Sequence, residues 1–516
     1  MKHIKKCVII GCGNIGFSMV KRIIEEIDVI YVFDLVKPAY LTELESAYQK
    51  IRFFSVDVTD NNAVHDVFQE TICKNNMNEI DFVLCSVGVG VSPLFNQDYK
   101  LFAKVMDLNL YGTLIPIKWL VELNVLIQGC RIVVVGSTSG HFAGKAMTPY
   151  APSKWALCNA CRALKFELEQ KKIQLDVINP RTIKNIYSKV FTHNSGIDVE
   201  DVVDCIIKSN DKSKKGRSLF VPAHYKILHK LERIMPWTID LKYGLKPLFL
   251  RKNRYKKRIQ TVLITGGTSG LGKSLAYVYA KNVCTLYLIG RNEIALNDIK
   301  MDIESSYNCK VVCICADLSK EDGVHQIISN INEKIDLLIN NAGQSISGSL
   351  IDVDIQTARS IFMVNCLSPI HLTAELLNKG NVPSVIVNIL STTAIAGRKG
   401  LGVYSSSKAG LWCFTKTIRR NYGNKINVIE VIPATFKSGL SSSNKTTDTK
   451  VQNGNDFNKN NWLKSKSMGM TSEYVADKVY KGISRHKDCV YIPGLRARLF
   501  LVMESLFPRL FDKVFE

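Results

Sequence analysis

Ser391, Tyr404 and Lys408 are residue types whose spacing would let them share one chemical task. Tyr404 and Lys408 stand four positions apart, and on a helix this spacing puts both side chains on one face. Because a nearby ammonium favours the phenolate, we expect Lys408 to lower the pKa of Tyr404 from its ordinary value near ~10. The serine, arriving from a strand end, would hold a carbonyl oxygen beside the tyrosine. The three residues therefore predict a site that polarises a carbonyl group for hydride attack and exchanges its proton.

The same spacing occurs a second time, 254 residues earlier in the chain. There the three residues are Ser137, Tyr150 and Lys154. One such pattern alone is explained equally well by an ordinary strand, loop and helix that carry a surface lysine. Its recurrence in register favours two copies of one catalytic design.

Length and charge limit what kind of protein carries these two copies. A chain of 516 residues with 46% apolar residues is long enough for two domains, each with its own core. The net charge of +22 favours anionic partners such as phosphorylated or nucleotide-linked substrates or an anionic membrane surface. An enzyme with a basic surface explains it equally. Dispersed basic residues without a reader motif argue against specific nucleic-acid binding.

The fifteen cysteines are scattered, and several lie in apolar strand-like runs, which is typical of free thiols in a reducing compartment. The histidines show no metal-ligand spacing. No apolar run reaches the ~18 residues that a membrane-spanning helix needs. We therefore expect a cytoplasmic protein, soluble or attached peripherally to a membrane.

A glycine-rich loop follows the first strand-like run, at residues 11–16. The sequence GCGNIG in this strand, loop and helix context matches a dinucleotide fingerprint, with the pyrophosphate expected at the helix N-terminus. The predicted cofactor-binding residues are Gly11, Gly13, Asn14, Ile15 and Gly16. Asp34 ends the next strand, where a carboxylate accepts from a ribose hydroxyl and repels a 2′-phosphate. The first half is therefore predicted to bind NAD(H).

Strand and helix signals alternate along both halves of the chain, which predicts an α/β fold with two tandem Rossmann-like, doubly wound parallel-sheet domains. The basic run 251–258 is interpreted as a linker between a domain over residues 1–250 and a second domain over 259–516. Residues 438–467 are polar and low in complexity, and are interpreted as a flexible substrate lid.

The second half contains a set of motifs that is specific to one family. It reads TGGTSGLG over 265–272, then NNAG over 340–343, and then Asn365, Ser391 and Tyr404-xxx-Lys408. This set strongly resembles the short-chain dehydrogenase/reductase family and spans almost the whole half. The resemblance implies an NAD(P)-dependent oxidoreductase. The cofactor-binding residues that it implies are Gly266, Thr268, Ser269, Gly270, Leu271, Gly272, Asn341, Gly343 and Pro433.

The resemblance also implies roles for single residues. Asn365 would support a water relay, Ser391 would orient the carbonyl, and Tyr404 would act as acid and base. Lys408 would bind the nicotinamide ribose, and Asp317 would contact the adenine. Arg291, just past the second strand, is placed to pair with a 2′-phosphate, which predicts NADP(H) in this half.

The first half resembles the same family with departures. Asn109, Ser137, Tyr150 and Lys154 fill the catalytic positions, and Asp57 the adenine position. The phosphate loop is shorter, and CSVG over 85–88 stands where NNAG is expected. Two readings stay open: two active sites, or one active site in the second half beside a non-catalytic nucleotide-binding or scaffold module.

Both halves end in a short strand, a proline and an apolar, basic helical tail. Such a tail could lie on an anionic membrane or pack on its own domain or a partner. The halves are expected to pair with each other as a pseudo-dimer or to form a homo-oligomer.

The leading hypothesis from the sequence is a double-headed oxidoreductase that interconverts a secondary alcohol and a ketone. Oxidation in one half and reduction in the other would give net epimerisation or sequential redox steps. An anionic substrate, such as a phosphorylated or nucleotide-linked sugar or polyol, matches the basic charge. A lipid-linked or acyl substrate is the rival, suggested by the tails.

Overall fold

A computed structural model gives the fold of the chain. The structure describes residues 4–90, 99–144, 147–184, 196–210, 216–234, 258–437 and 469–507. The predicted lid at 438–467 and all but the last residue of the predicted linker at 251–258 lie outside these residues.

Within the described residues, each half forms a parallel sheet of seven strands. The first sheet contains β1 Lys6–Ile10, β2 Val29–Asp34, β3 Ile51–Ser55, β4 Ile80–Cys85, β5 Leu126–Val135, β6 Gln174–Pro180 and β7 Ser218–Val221. The second contains β8 Thr261–Thr265, β9 Thr285–Gly290, β10 Lys310–Cys315, β11 Leu337–Asn340, β12 Val385–Ile389, β13 Asn427–Pro433 and β14 Cys489–Ile492.

The strand orders of the two sheets are equivalent. The first runs β3-β2-β1-β4-β5-β6-β7 and the second β10-β9-β8-β11-β12-β13-β14. The strand order reverses between β1 and β4 in the first sheet and between β8 and β11 in the second. In such sheets a ligand binds outside the carboxyl ends of the strands at the point of reversal. The predicted fold class, two doubly wound Rossmann-like domains, is confirmed.

Helices connect the strands and cover the sheets. In the first half they are Asn14–Ile23, Ala39–Ala47, Asn61–Asn75, Tyr99–Met106, Gly112–Glu122, Tyr150–Gln170, Val199–Ser209 and Tyr225–Ile234. In the second they are Gly270–Ala280, Glu293–Ser306, Asp322–Ser329, Ile355–Phe362, Ser368–Asn378, Gly402–Tyr422, Ser472–Ser484 and Gly494–Leu506. One stretch, Ile355–Asn378, is long and apolar enough to cross a membrane, but 72% of its most apolar 18-residue window is buried inside the protein, as expected of a core helix.

The two halves pack against each other through the helices that begin near the two predicted catalytic tyrosines. We call these the Tyr150 helix (Tyr150–Gln170) and the Tyr404 helix (Gly402–Tyr422). Their indole rings Trp155 and Trp412 lie 5.6 Å apart between centroids. The Tyr150 helix and the Tyr404 helix therefore share one buried interface. The two halves of the chain pair with each other as the two subunits of a dimer would.

Loops that precede each tyrosine cross this interface. Gly397 approaches the other half so closely that a Cβ there would lie 2.2 Å from the Asn159 carbonyl oxygen. The Arg420 guanidinium in turn donates to the Ala143 carbonyl. The buried Glu167 carboxylate accepts from the Leu350 amide at 3.0 Å. Each half thus supports the loop that borders the other half's site.

Candidate active sites

The second site lies at the carboxyl end of β12. Ser391 follows that strand by two residues and caps a short 3-10 turn, accepting from the Thr393 amide at 3.2 Å. Tyr404 lies in the first turn of the Tyr404 helix, and Lys408 one turn later. The Lys408 Nζ is buried and donates to the Ile389 carbonyl oxygen at 2.9 Å. The serine also hydrogen-bonds the Tyr404 phenol, so the structure brings the three predicted residues together.

Asn365 fixes the geometry behind these residues. It lies in a π-helical turn, Met363–Leu367, where the extra residue per turn re-aims its side chain. Its Oδ1 accepts from the Gln344 amide at 2.8 Å, and its Nδ2 donates to the Gln344 carbonyl at 2.8 Å and to the Ser407 hydroxyl at 2.9 Å. Both amide protons are thus used inside the protein. The side chain ties the loop after β11 to the Tyr404 helix, which makes it a positioning residue.

The first site repeats this set of bonds in the same order. The Asn109 Oδ1 accepts from the Val89 amide at 2.8 Å, and its Nδ2 donates to the Val89 carbonyl at 3.1 Å and the Ser153 hydroxyl at 2.8 Å. This asparagine also lies in a π-helical turn, Asp107–Tyr111. The Lys154 Nζ donates to the Val135 carbonyl at 3.1 Å. Asn109 and Lys154 of the first half therefore make the same bonds as Asn365 and Lys408 of the second half.

The Ser137 hydroxyl has the same role as the Ser391 hydroxyl of the second half. It caps the 3-10 turn Thr138–Gly140 and accepts from the Ser139 amide at 3.0 Å. The hydroxyl faces the same cavity as Tyr150 and Lys154. The sequence spacing therefore predicted a true spatial cluster in both halves.

The pKa of Tyr404 departs from the sequence expectation. Burial raises it, and the hydrogen bond from Ser391 opposes that rise without cancelling it. Burial also lowers the pKa of Lys408 to about 8, and its Nζ bonds to a backbone carbonyl. The pKa of Tyr404 therefore lies above its ordinary value and not below it, as the spacing to Lys408 had led us to expect, because desolvation of the phenol outweighs the hydrogen bond from Ser391. A phenol with a raised pKa stays protonated at neutral pH and is ready to donate.

The buried lysines predict a pH-dependent stability. Burial lowers the pKa of Lys154, like that of Lys408, to about 8, whereas an unfolded lysine titrates near ~10.4. Between these two pKa values the unfolded chain binds more protons than the folded chain, so the free energy of unfolding rises with pH. Below about pH 8 both states carry the charge, and each buried lysine charge destabilises the fold by roughly 3 kcal/mol at most. Lys408→Met should therefore raise the melting temperature at about pH 7, by an amount that shrinks toward about pH 10.

The matched control for this measurement is Lys379→Met, which removes an exposed lysine of the same half. It should leave the melting temperature nearly unchanged at every pH. A Lys408→Met chain that is less stable than wild type near neutral pH would contradict the account, because the lysine would then be held as a favourably solvated cation.

The glycine-rich loops are closely packed against themselves in both halves. Gly11 and Gly266 have φ of +86° and +68°, which only glycine adopts without strain. A Cβ at Gly16 would lie 2.2 Å from the Gly11 carbonyl oxygen, and one at Gly272 would lie 1.9 Å from the Gly266 carbonyl oxygen. The first loop is one residue shorter, but its first and last glycines make the same close approach. Both loops therefore present backbone amides at a helix N-terminus, where a pyrophosphate binds.

The altered CSVG motif keeps the structural role of NNAG. In the second half the Asn341 Nδ2 donates to the Gly266 carbonyl at 3.2 Å and ties β11 to the glycine-rich loop. In the first half the Ser86 hydroxyl donates to the Gly11 carbonyl at 2.6 Å. The shorter serine suits the shorter loop. This departure from the family pattern therefore leaves the loop anchored.

A cavity of about 360 Å³ joins the predicted residues of the second half. The predicted residues that line it are Gly266, Thr268, Ser269, Gly270, Leu271, Arg291, Asp317, Asn341, Gly343, Ser391, Tyr404, Lys408 and Pro433. Asn365 and Gly272 lie behind its wall and support it. The cavity thus runs from the adenine end, at Asp317, to the catalytic tyrosine.

The cavity of the first half, about 330 Å³, is less extensive. The predicted residues that line it are Gly13, Asn14, Ile15, Ser137, Tyr150 and Lys154. The cavity does not reach Asp34 or Asp57. The Asp34 carboxylate accepts from the Cys12 amide at 2.6 Å. Asp57 accepts from the Thr59 amide at 2.9 Å, a bond that Asp317 also makes, with the Ser319 amide at 3.0 Å. The structure therefore joins the catalytic end of this site but not its adenosine end.

Four residues of the sites were missed in the sequence. Ser153 and Ser407 orient the asparagines. Both serines could have been predicted, because a serine precedes the catalytic lysine in both repeats. Ser86 could have been found as the one hydrogen-bonding side chain in CSVG. Arg398 lines the substrate end of the second cavity, and nothing in the local pattern singles it out.

The residues of both sites fit a nicotinamide dinucleotide. Glycine stands where a side chain would fill the space beside the lysine: a Cβ at Gly88 would lie 3.0 Å from the Lys154 Nζ, and one at Gly343 would lie 3.6 Å from the Lys408 Nζ. The glycine-rich loop and the lysine would hold the dinucleotide at its pyrophosphate and ribose. When bound, the nicotinamide supplies or accepts the hydride.

Comparisons with known proteins agree with this geometry. A family model described as short chain dehydrogenase matches residues 5–194 and again residues 260–449. A Xenopus laevis protein named dehydrogenase/reductase SDR family member 7B is 30% identical over 290 residues, covering 53% of this chain and 86% of that protein. The NADP-dependent 3-hydroxy acid dehydrogenase of Schizosaccharomyces pombe is 29% identical over 246 residues, covering 45% of this chain and 89% of that enzyme.

A solved structure extends the likeness to both halves together. The N-terminal ketoreductase from a macrolactin assembly line matches with a TM-score of 0.61 at 11% identity, covering 95% of this chain and 87% of that one. At this identity the likeness concerns the fold alone. Because the family model matches twice and each match contains one Ser-Tyr-Lys cluster, the chain belongs to the short-chain dehydrogenase family as a tandem pair of domains and is an NAD(P)-dependent oxidoreductase.

Proposed function

We propose that the protein is a double-headed oxidoreductase in which each half interconverts a secondary alcohol and a ketone. The observation that carries this proposal is the duplicate bonding of Asn109 and Asn365, each of which holds a loop backbone and the serine next to the catalytic lysine. A half that served only as a scaffold would need neither this bonding nor the buried lysine charge, which destabilises it.

The side chains of each site divide the proton chemistry. In the second site Ser391 holds the carbonyl oxygen, and the Tyr404 phenol donates its proton to that oxygen as hydride reaches the carbon. Lys408, at the cavity wall, stabilises the phenolate that forms. Burial raises the pKa of Tyr404, so the phenol is protonated near neutral pH and begins a reduction as the proton donor.

We assign NADP(H) to the second half and NAD(H) to the first. Arg291 lines the second cavity near Asp317, where a guanidinium would pair with a 2′-phosphate. Asp34 at the end of β2 would repel the same phosphate. Different cofactors would let one half oxidise and the other reduce, which gives net epimerisation or two sequential redox steps on one substrate.

The residues around the two sites favour different chemical groups on the substrate. Arg398 lines the second cavity seven residues after Ser391, whereas the matching position in the first half is Gly144. A cation there would favour an anionic substrate, such as a phosphorylated or nucleotide-linked sugar or polyol. Leu401 and Phe436 line the same cavity, and with the cation they would also suit a carboxylate on an acyl chain, which is the rival substrate class.

Arg291→Ala provides the test of the cofactor assignment. We expect the KM for NADP(H) to rise about tenfold or more while the KM for NAD(H) changes little, because one charge-assisted contact to the 2′-phosphate is lost. Steady-state assays with both cofactors measure this ratio. Arg485→Ala, which removes a cation outside the catalytic cavity, is the control. An unchanged NADP(H) KM in Arg291→Ala would remove the assignment.

A second candidate function rests on the shorter first cavity. Because that cavity does not extend to Asp34 or Asp57, the first half could be a non-catalytic nucleotide-binding or scaffold module beside one active carbonyl reductase. The two candidates differ in what Tyr150 does: in a scaffold its hydroxyl would be dispensable for every activity of the chain.

A further inference from the structure

The last described helix of the chain, Gly494–Leu506, has one face buried and one face exposed and apolar. Leu495, Leu499 and Met503 follow one another at four-residue spacing, and they are 74%, 51% and 44% exposed. Leu506 continues this stripe with 40% exposure. We call these four residues the apolar stripe. Aliphatic side chains at this spacing form a continuous strip along a helix.

The opposite face of this helix is fully occupied. Ala497 and Leu501 are buried, and the Glu504 carboxylate binds the Arg162 guanidinium of the Tyr150 helix. The helix also contacts the equivalent tail helix of the first half, Tyr225–Ile234, where Ile227 is 64% exposed. The helix is therefore fixed to the body of the protein, and the stripe faces outward from a rigid support.

Cations surround the apolar stripe. Arg496 and Arg498 are exposed on its two sides. At the start of the helix, Gly494 borders a cavity of about 440 Å³ that is separate from both catalytic sites. The cations that line this cavity are Lys478, Lys481, Arg485 and Lys487, of which Lys481 pairs with the Asp477 carboxylate at 2.8 Å. Among the described residues that line it, none is acidic. An apolar strip flanked by cations matches the chemistry of an anionic membrane surface, with acyl chains below charged headgroups.

We propose that this face binds peripherally to an anionic lipid bilayer, with the apolar stripe at the acyl boundary and the basic cavity around phosphate-bearing headgroups. Charge complementarity is the ground for this occupant: cations border the stripe on its sides and at one end, and the chain carries a net charge of +22. The proposal is independent of the redox chemistry of the two sites.

The test is co-sedimentation of the full chain with vesicles. Wild-type protein should bind vesicles of phosphatidylcholine with roughly 30% phosphatidylserine, and bind pure phosphatidylcholine much more weakly. Leu495→Glu/Leu499→Glu should weaken binding at least about tenfold, because charge replaces the apolar side chains. Arg496→Gln/Arg498→Gln should weaken binding to the anionic vesicles and reduce its salt dependence.

Ile294→Glu/Met301→Glu is the matched control. These residues are 75% and 64% exposed on the helix Glu293–Ser306, and their replacement should leave vesicle binding and the melting temperature unchanged. Failure of wild-type protein to bind the anionic vesicles would overturn the proposal, as would equal binding by Leu495→Glu/Leu499→Glu. A wild-type dimer in ultracentrifugation that this variant converts to monomer would identify the stripe as a protein interface and also overturn it.

Discussion

Tyr404→Phe is expected to reduce one activity of the chain by about 10²–10⁴-fold, and Tyr150→Phe a different one by a similar factor, because each removes the proton donor of its own half. Any carbonyl or alcohol substrate that wild-type protein converts can then be assigned to the half whose variant loses it. Both variants keep the aromatic ring, so dinucleotide binding and the melting temperature should stay close to wild type.

Tyr474→Phe is the control for this pair. Tyr474 is 43% exposed on the helix Ser472–Ser484 and lies outside both catalytic cavities, so its loss should have no effect on turnover. If Tyr150→Phe leaves every activity at the wild-type level, the first half is not catalytic. The double-headed proposal is then wrong, and the single-site candidate replaces it.

Alanine at the last glycine of either loop should remove cofactor binding from one half only. At Gly272 the new Cβ would lie 1.9 Å from the Gly266 carbonyl oxygen, and at Gly16 it would lie 2.2 Å from the Gly11 carbonyl oxygen. The loop backbone must shift in each case, and overpacking of this kind costs about 1–3 kcal/mol. We expect the dinucleotide affinity of the altered half to fall by about 10- to 100-fold while the other half keeps its own.

Gly469→Ala is the matched control, because a Cβ at Gly469 has no heavy atom within 4 Å. Calorimetric titration of each variant separates the two halves without knowledge of the substrate. Wild-type affinity in both Gly16→Ala and Gly272→Ala would mean that the cofactor does not bind at these loops, and the assignment of the glycine-rich loops would be wrong.

The fold and the clusters could be predicted because both follow from local periodicity. Alternating apolar strands and helices specify a parallel sheet, and the Ser-Tyr-Lys spacing is set by one strand end and one helix. Repetition strengthened the prediction, since Tyr150 and Lys154 stand in the register of Tyr404 and Lys408. These features need no knowledge of what packs against them.

The features that the sequence did not reveal depend on packing in three dimensions. The raised pKa of Tyr404 comes from burial, which the four-residue spacing to Lys408 does not report. The anchoring of the first loop by Ser86 depends on a 2.6 Å contact across 75 positions. The limited reach of the first cavity, which leaves out Asp34, likewise follows from how neighbouring elements fill space.

The sequence predicted that the two halves could pair, but not which residues make the contact between them. A pseudo-dimer was one of two arrangements that the duplication allowed. That Gly397 lies against the Asn159 carbonyl is a property of the assembled helices. The loop before Tyr404 thus packs directly on the Tyr150 helix.

Both halves are proposed to bind a nicotinamide dinucleotide, and the number of dinucleotides bound per chain is the sharpest test of that claim. Calorimetric titration of wild-type protein with NADP(H) and NAD(H) together should give two dinucleotides per chain. Gly16→Ala and Gly272→Ala should each give one at the same ligand concentrations. One dinucleotide per wild-type chain, with no change in Gly16→Ala, would contradict the claim and leave the second half as the one working site.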